Sequence, residues 1–347
     1  MSPKRVSLGR RLRHLVPAPI RRVAARAVAT GRASEIERRL AVIARDPRPI
    51  VVGPWLGEVG FELLYWIPFV RWFAERYEVA PDRLIAVSRG GAAAWYQPTA
   101  AGSHDALSFM SPDDFRVRNA HRNTRLGEQK QVATTALDDE ILALVRGAEN
   151  RDVAVLHPSL MYRLFAPYWW GHQPVEWVRR YTRFTLIPTP ELGAPLPRDY
   201  SAVKFYFNAC FSDTPANRAF VERTIRDLSA GGPVISLSTG VTVDDHAPCE
   251  PDVAAMNGIR HLLTPENNLL VQSAIVARAR RFVGTYGGFA YLAPLCGVPS
   301  ISYYTDPGAY SMRHLDLMVD VLESSGRPEL LELIEVRGGA VARRGTH

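Results

Sequence analysis

The chain has 347 residues, with 42 lysine and arginine residues against 35 aspartate and glutamate residues, which gives a formal charge of +7. Residues 1–46 contain twelve basic and three acidic residues, whereas the rest of the chain has a balance of −2. The main part of the chain therefore lacks the concentrated basic charge of a nucleic-acid-binding protein, and we expect no nucleic-acid partner. The charge of residues 1–46 needs another partner or a solvent-facing role.

With 47% hydrophobic residues, the chain is long enough to bury two cores, so we expect two domains. No stretch approaches the length and apolarity of a membrane-spanning helix, and the arginine-rich start lacks the pattern of a secretory signal. The three cysteines are dispersed and form no CxxC pair, which argues against a disulfide framework or a structural zinc site. We therefore expect a cytoplasmic protein.

Residues 8–30 alternate arginine with apolar residues at helical spacing, interrupted by Pro17 and Pro19. This pattern is typical of helices that lie on an anionic membrane surface, which would place the protein at the inner face of the plasma membrane. A poorly ordered basic tail and a helix packed against the body are the alternatives. We treat residues 1–46 as a basic, helical N-terminal extension.

From Pro49 the pattern becomes an alternation of short apolar strands and helices. Strands are predicted at 50–53, 84–88 and 153–156, with helices at 61–77 and 138–146. Beyond a proline-rich stretch at 187–199, the pattern restarts with strands at 204–208, 234–237, 282–284 and 300–304 and helices at 215–229 and 267–281.

This alternation predicts an α/β fold with two Rossmann-like, doubly wound domains facing a cleft. Residues 47–190 would form the first domain, and residues 191–347 the second, with C-terminal helices. The proline-rich stretch is the candidate hinge between them.

The strongest local motif is FVGTYGGFAYL (282–292), in which a strand leads through Thr285, Tyr286, Gly287 and Gly288 into a helix. Unpaired N–H groups at such a helix start bind phosphate or pyrophosphate, and glycines allow a close approach. A plain strand-to-helix turn also favours glycine, which is the alternative. The motif is neither a Walker A sequence nor a GxGxxG fingerprint.

The segment FVGTYGGFAYLAPLCGVPSISYY resembles the donor-binding segment of GT-B glycosyltransferases, most closely the heptosyltransferase-like group. Gly288, Ala293 and Pro299 match that pattern, whereas Tyr286 stands where the family has Asp and Tyr291 where it has His. The resemblance implies that this segment binds the donor nucleotide and that the chain is a remote branch with a different donor.

The loop PWLGEVG (54–60) resembles the Leu-Gly-Asp loop of the same group, with Glu58 at the position of the aspartate. The resemblance implies that this loop, including Gly57 and Gly60, faces the acceptor, and that Glu58 is the general base of an inverting transfer. A carboxylate at the end of the first parallel strand also lies where such sheets bind ligands. Glu62 is a second acceptor-side carboxylate, or alternatively a cap of the helix N-terminus.

Further donor-side residues follow strand ends in the second half. Lys204 begins a predicted strand, and a lysine in an arginine-rich chain indicates a compact cation for phosphate, unless it is an ordinary strand-end charge. Thr239, Gly240 and His246 lie on the loop after strand 234–237 and are candidate nucleotide contacts. Asn268 is another, or a helix-terminal residue behind a cap at Thr264.

We expect no metal or other cofactor. Asp244, Asp245, His246, Cys249 and Glu250 are metal-ligand types, but their spacing matches no zinc site and the chain has no DxD motif.

On the acceptor side, the aromatic segment 161–177 suits stacking on sugar faces. We expect one of Trp169 and Trp170 in the core and the other at the cleft, and take Trp169 and His172 as acceptor contacts. Arg89, after the second strand, is placed to hold an anionic acceptor.

The sequence thus favours a metal-independent, inverting glycosyltransferase of hexosyl- or heptosyltransferase type. It would move a sugar from a nucleotide-diphosphate donor to a cell-envelope glycan or a lipid-linked acceptor. The alternatives are a nucleotide-sugar epimerase and a non-catalytic nucleotide-sugar-binding protein of the same fold.

Overall fold

The computed structural model describes residues 18–126, 130–238, 247–248 and 256–342. Its first sheet contains four parallel strands, in the order β3-β2-β1-β4. The pairing register places Val51 opposite both Ile85 and Val155. The strands of this sheet are β1 (Ile50–Val52), β2 (Leu84–Ser88), β3 (Gly102–Asp105) and β4 (Ala154–Leu156).

Helices connect these strands. The first helix after β1 is built from three consecutive segments, Val59–Phe61, a π-helical segment Glu62–Trp66, and Ile67–Arg76, which together are α2. Such π-segments are frequently found at functional sites. The other helices of this half are α1 (Ala18–Arg45), α3 (Pro112–Leu126), α4 (Ala136–Glu149), α5 (Pro158–Trp169) and α6 (Val175–Arg179).

The second sheet has seven strands, in the order β13-β12-β11-β10-β5-β7-β9, and only β13 is antiparallel to its neighbour. Its strands are β5 (Ser201–Lys204), β7 (Val234–Ser236), β9 (Met256–Gly258), β10 (Arg281–Thr285), β11 (Ser300–Tyr304), β12 (Leu331–Arg337) and β13 (Ala340–Val341). A separate two-stranded sheet pairs β6 (Tyr206–Phe207) with β8 (Ala247–Pro248). The helices are α7 (Pro215–Ala230), α8 (Asn268–Arg278), α9 (Gly288–Leu295) and α10 (Met312–Ser324).

Numbered along the chain, the six parallel strands of the second sheet are arranged 3-2-1-4-5-6, and the four of the first 3-2-1-4. The order 3-2-1-4-5-6 of the second sheet is that of a complete Rossmann sheet, and the order 3-2-1-4 of the first sheet is its central part. The predicted α/β fold with two Rossmann-like domains is therefore confirmed.

Helix α1 begins one residue before Pro19 and packs its buried side against α5 and β4. Its buried residues recur at helical spacing and belong to the main core: Ala29, Ala33, Ile36, Leu40 and Ala44. For residues 29–44 the structure therefore agrees with one of the alternatives, a helix packed against the body of the protein. Residues 1–17 lie outside the described part of the chain. No helix in that part is both long and apolar enough to span a bilayer.

The two halves are joined by buried contacts as well as by the chain. Trp95 Nε1 donates a hydrogen bond to Ser273 Oγ at 2.8 Å. Helix α10, from the second half, packs on α6 and α2 of the first. The proline-rich stretch 187–199 has no regular structure, and its Ile187 N–H donates to the carbonyl of Leu295 at 2.8 Å. The two halves thus pack directly against each other at these contacts.

Two local predictions were wrong. Lys204 ends β5 instead of beginning a strand, because the strand runs over the preceding Ser-Ala-Val and the chain then turns into β6. Thr264 does not cap a helix, because α8 begins only after Asn267, whose side-chain oxygen accepts the Thr264 N–H at 2.7 Å. Strands β3, β8, β9, β12 and β13 and helices α3, α5 and α6 were not predicted.

Candidate functional site

Each Rossmann sheet has a point where the strand order reverses, and ligands bind there beyond the carboxyl ends of the strands. In the first sheet this point lies between β1 and β4, which are followed by the loop 53–58 and by His157. In the second sheet it lies between β5 and β10, which end at Lys204 and Thr285. Both motifs singled out from the sequence therefore follow strands at these points.

The two loops meet at a pair of glycines. A Cβ atom added to Gly60 would lie 3.4 Å from the Cα of Gly288, and one added to Gly288 would lie 2.9 Å from the backbone nitrogen of Gly60. Helices α2 and α9 therefore begin side by side, and their N-terminal N–H groups lie in the same region. The first glycine-containing loop and the second therefore lie against each other.

Glu58 is the N-cap residue of α2 and is the one exposed residue between positions 50 and 60. Its side chain makes no capping hydrogen bond. The preceding Gly57 is buried, and a Cβ there would lie 3.0 Å from the ring of Trp55 and 3.4 Å from the hydroxyl of Tyr162. The loop is thus enclosed up to Glu58, which is exposed and lies two residues before Gly60.

Glu62, one helical turn further on, is fully buried and contacts neither solvent nor the helix N-terminus. Its Oε1 accepts hydrogen bonds from Ser88 Oγ at 2.6 Å and Tyr96 OH at 2.7 Å, while Oε2 has no hydrogen-bond partner. Burial raises the pKa of Glu62 to about 7, opposed by the nearby charge of Arg89 and by the two hydroxyl donors. Glu62 therefore lies behind the site and is not a surface contact.

Arg89 is also buried, at the end of β2, where the chain turns through Gly90 and Gly91. The Gly90 carbonyl accepts N–H groups from Leu269, at 2.7 Å, and Leu270, at 3.1 Å, in the first turn of α8. A carbonyl of the first domain therefore accepts N–H groups that the first turn of a helix in the second domain would otherwise leave without partners.

Asn268 lies in the same contact and is 8% exposed. Its Nδ2 donates to the Pro265 carbonyl at 2.6 Å. A nucleotide could reach its side chain only if the contact between the two halves opened.

Lys204 lies at the reversal point of the second sheet. Its Nζ donates to Gln272 Oε1 at 2.5 Å and lies 3.9 Å from the centre of the Phe289 ring, in the first turn of α9. An ammonium held beside a helix N-terminus adds positive charge where the N–H groups already favour an anion.

The side chains of the TYGG turn point into the protein. Thr285 Oγ1 bonds both the backbone N–H and the carbonyl of Tyr206. The hydroxyls of Tyr286 and Tyr291 bond each other, and burial raises the pKa of both. Gly287 is the N-cap of α9, where a Cβ would overlap the hydroxyl of Tyr206. The half-buried backbone of Gly287 and Gly288 is what this turn presents to a ligand.

Trp169 belongs to an aromatic group beside the first loop. Its ring centre is 5.6 Å from that of Phe61 and 5.1 Å from that of Tyr65, and Lys130 Nζ lies 5.2 Å from it. His172 instead faces solvent beside Trp170, which is 64% exposed. The structure thus brings Trp169 close to the helix that follows Glu58, and provides no such contact for His172.

Thr239, Gly240 and His246 lie outside the described residues. So do the residues weighed there as metal ligands, Asp244, Asp245, Cys249 and Glu250. In the part of the chain that the structure describes, no group of three or more His, Cys, Asp or Glu side chains is arranged to hold a metal ion.

Several polar side chains at the site were missed from the sequence. Gln131 and Asn119 bond the backbone of the Glu58 loop, and behind them Asp138 accepts a hydrogen bond from His157 Nε2 at 3.1 Å. Asp105 Oδ2 accepts the Gly91 N–H at 2.7 Å. Only His157, at a strand end, carried a visible signal. Asp138 begins the predicted helix 138–146, whereas Asp105, Asn119 and Gln131 lie in segments whose position no strand or helix pattern indicated.

A scan against protein-family models found no match, and neither did a search of curated proteins. Among solved structures, the chain is similar to the iron-containing dodecameric glycosyltransferase TibC of enterotoxigenic E. coli, at 12% identity over 74% of this chain, with a TM-score of 0.41. It spans only 58% of the TibC chain.

Two further similar structures are of nearly the same length as this chain. One is the E. coli heptosyltransferase WaaC with ADP, at 12% identity over 84% of this chain and 94% of that one, with a TM-score of 0.42. The other is a family 9 glycosyl transferase of Veillonella parvula, at 11% identity over 84% and 86%, with a TM-score of 0.39. Independently of these similarities, the strand orders of both sheets are those of the two Rossmann-like domains predicted from the sequence.

Proposed function

We propose that the protein is a glycosyltransferase that moves a sugar from a nucleotide-diphosphate donor to a hydroxyl of a cell-envelope glycan or a lipid-linked acceptor. The observation that carries this proposal is the contact between Gly60 and Gly288. Glu58, which is exposed, lies two residues before Gly60 in the chain, and Gly288 is the first residue of α9. Base and diphosphate site are the two parts that such a transfer needs close together.

On the donor side, the backbone N–H groups at the start of α9 and the ammonium of Lys204 would bind the diphosphate. Both carry positive charge, and the missing side chains of Gly287 and Gly288 permit a close approach. As the bond between the sugar and the diphosphate breaks, the leaving group gains negative charge, which these donors stabilise. This arrangement needs no metal ion.

On the acceptor side, Glu58 would accept the proton of the attacking hydroxyl as its oxygen bonds the anomeric carbon. The nucleoside diphosphate leaves from the opposite face, so the configuration inverts. Trp169 offers an aromatic face for a sugar ring. Arg89 lies behind this surface, beside Glu62, and would influence the acceptor by its charge.

The test is release of the nucleoside diphosphate from a panel of nucleotide sugars, with and without candidate acceptors. We expect acceptor-dependent release that Glu58→Gln lowers by about 10²- to 10⁴-fold, the usual contribution of a general base. The matched control is Glu222→Gln, because Glu222 is exposed on α7, in the second domain.

Equal release by wild type and Glu58→Gln would rule out Glu58 as the base. Conversion of the donor sugar without any acceptor would favour an epimerase. Nucleotide-sugar binding without turnover would favour a non-catalytic binding protein.

We also propose that α1 contacts an anionic membrane surface. The side of α1 that includes Ala29 and Leu40 is buried, whereas Val28 and Val42 are 55% and 70% exposed, with Arg38 also exposed. Apolar and basic side chains on one exposed surface bind anionic lipid together. Sedimentation with vesicles of phosphatidylcholine, with and without phosphatidylglycerol, should show binding to the anionic vesicles that Arg38→Glu weakens. Equal sedimentation with both vesicle types would refute it.

A further inference from the structure

The loop that carries Glu58 is held by a buried glutamine from another part of the chain. Gln131 is fully buried, and its Oε1 accepts the backbone N–H of Leu56 at 2.8 Å. Its Nε2 donates to the carbonyl of Pro54 at 2.9 Å and to Asp138 Oδ1 at 3.1 Å. One carboxamide thus bonds the backbone on both sides of Trp55.

Leu56 is held from its other side as well. Its carbonyl accepts a hydrogen bond from Asn119 Nδ2, on α3, at 3.2 Å. Both backbone polar groups of Leu56 are therefore satisfied by side chains instead of by a neighbouring strand, although the residue is buried. Because a buried backbone group without a partner is costly, the loop conformation depends on these two amides.

The glutamine is itself held in place. Asp138 Oδ1, which accepts from Gln131, also accepts from His157 Nε2 at 3.1 Å. Asp138 Oδ2 accepts the backbone N–H of Thr135 at 2.7 Å. The N–H of Ser159 points at His157 Nδ1, which leaves the proton of a neutral ring on Nε2, facing Asp138. Asp138, at the start of α4, and His157, directly after β4, thus hold the side-chain amide of Gln131 in place.

We propose that Gln131 is a positioning residue that sets the place of the Glu58 carboxylate relative to the donor loop. The proposal rests on the proposed transfer reaction. Glu58 follows Leu56 by two residues, and the same loop contacts Gly288 of the other domain through Gly60. A shift of the Leu56 backbone would therefore displace the Glu58 carboxylate relative to Gly288. A misplacement of about 1 Å can reduce a rate by about 100-fold.

The side-chain chemistry at position 131 is specific. The site needs one acceptor, for Leu56 N–H, and a two-proton donor, for Pro54 and Asp138. Only a carboxamide supplies both at that length. Gln131→Met keeps the volume but bonds none of the three. Gln131→Glu keeps the shape, but it places a second carboxylate next to the Asp138 carboxylate and the Pro54 carbonyl, which are both acceptors.

The test measures kcat, the KM for the donor, and amide hydrogen exchange in the segment 54–58, for Gln131→Met, Gln131→Glu and wild type. The control is Asn217→Leu, since Asn217 is another buried amide, which donates to the Ser212 carbonyl at 2.7 Å in the second domain. It tests the loss of a buried amide without touching the Glu58 loop.

We expect both Gln131 variants to lower kcat about 10- to 100-fold, to leave the donor KM within about twofold, and to speed exchange in segment 54–58. In a Glu58→Gln background, Gln131→Met should lower kcat little further, because residues that act through one another are not additive. Asn217→Leu should change neither kcat nor exchange in this segment.

Unchanged amide exchange of segment 54–58 in both Gln131 variants would overturn the proposal. So would a decrease in kcat on Gln131→Met that is equally large in the wild-type and Glu58→Gln backgrounds. A wild-type protein that transfers no sugar would refute the proposed function instead. In that case exchange alone decides whether Gln131 holds the loop, with unchanged exchange again overturning the proposal.

Discussion

Glu62→Gln should make the protein more stable than the wild type at pH 8, although it alters a buried, hydrogen-bonded side chain. The two hydroxyls that donate to Glu62 Oε1, from Ser88 and Tyr96, find an acceptor in the amide oxygen of glutamine as well. The substitution therefore removes the titration of this site and keeps its hydrogen bonds.

The pKa of Glu62 is raised from 4.5 to about 7, chiefly by burial. A raised pKa means that folding favours the protonated acid, so its contribution to stability is complete below pH 4.5 and is lost as the pH rises through about 7. From the two pKa values, the wild type should lose about 2–3 kcal/mol of folding free energy between pH 5 and pH 8 that the variant does not lose.

The assay is thermal unfolding of both proteins at pH 5, 6, 7 and 8, with Glu222→Gln as the control for loss of an exposed carboxylate. The difference in Tm between Glu62→Gln and the wild type should grow with pH by several degrees. A difference that does not change with pH would show that Glu62 has an ordinary pKa. A difference that changes in the opposite sense would show that Glu62 is ionised and paired with Arg89.

Three other changes test the contacts between the domains and the donor site. Gly288→Ala should destabilise the protein by about 1–3 kcal/mol in urea unfolding, since the added Cβ would lie 2.9 Å from the Gly60 nitrogen. The control is Gly147→Ala in α4, where no atom lies within 4 Å of the added Cβ, and it should stabilise the protein by up to about 1 kcal/mol. Equal effects would contradict the close approach. Tyr65→Phe leaves the Nδ1 of half-buried His314 without its 2.7 Å partner and should lower the unfolding free energy by about 1–3 kcal/mol; no loss would mean that this bond contributes nothing. Lys204→Met should abolish the Tm increase produced by a nucleoside diphosphate at concentrations where the wild type is stabilised, and an undiminished increase would remove Lys204 from the donor site.

Strands β1 and β10 were predictable because each is a short, buried apolar run followed by a glycine-containing turn. Strand β11, Ser300–Tyr304, was predicted at its observed bounds. Strand β3, Gly102–Asp105, was missed because its sequence GSHD lacks the apolar residues that identify a strand, and only its pairing with β2 makes it one.

The site was predictable where glycines and a carboxylate stand at a strand end, as at Glu58 and Gly288. It was not predictable where packing decides. The burial of Glu62 depends on a π-helical segment and on β2, and the inward direction of Tyr286 depends on Tyr291 and on β6. The role of Gln131 depends on the approach of a segment that is 75 residues from Leu56 in the chain, which no local pattern encodes.

The glycine pair has a consequence for protein engineering and for descent. Gly60 and Gly288 lie 228 positions apart, in separate domains, yet each leaves room for the backbone of the other. A chimera that joins this first domain to a donor domain from another protein should need a glycine at the start of the incoming helix. In related chains we expect a larger residue at one position only where the two domains are set further apart.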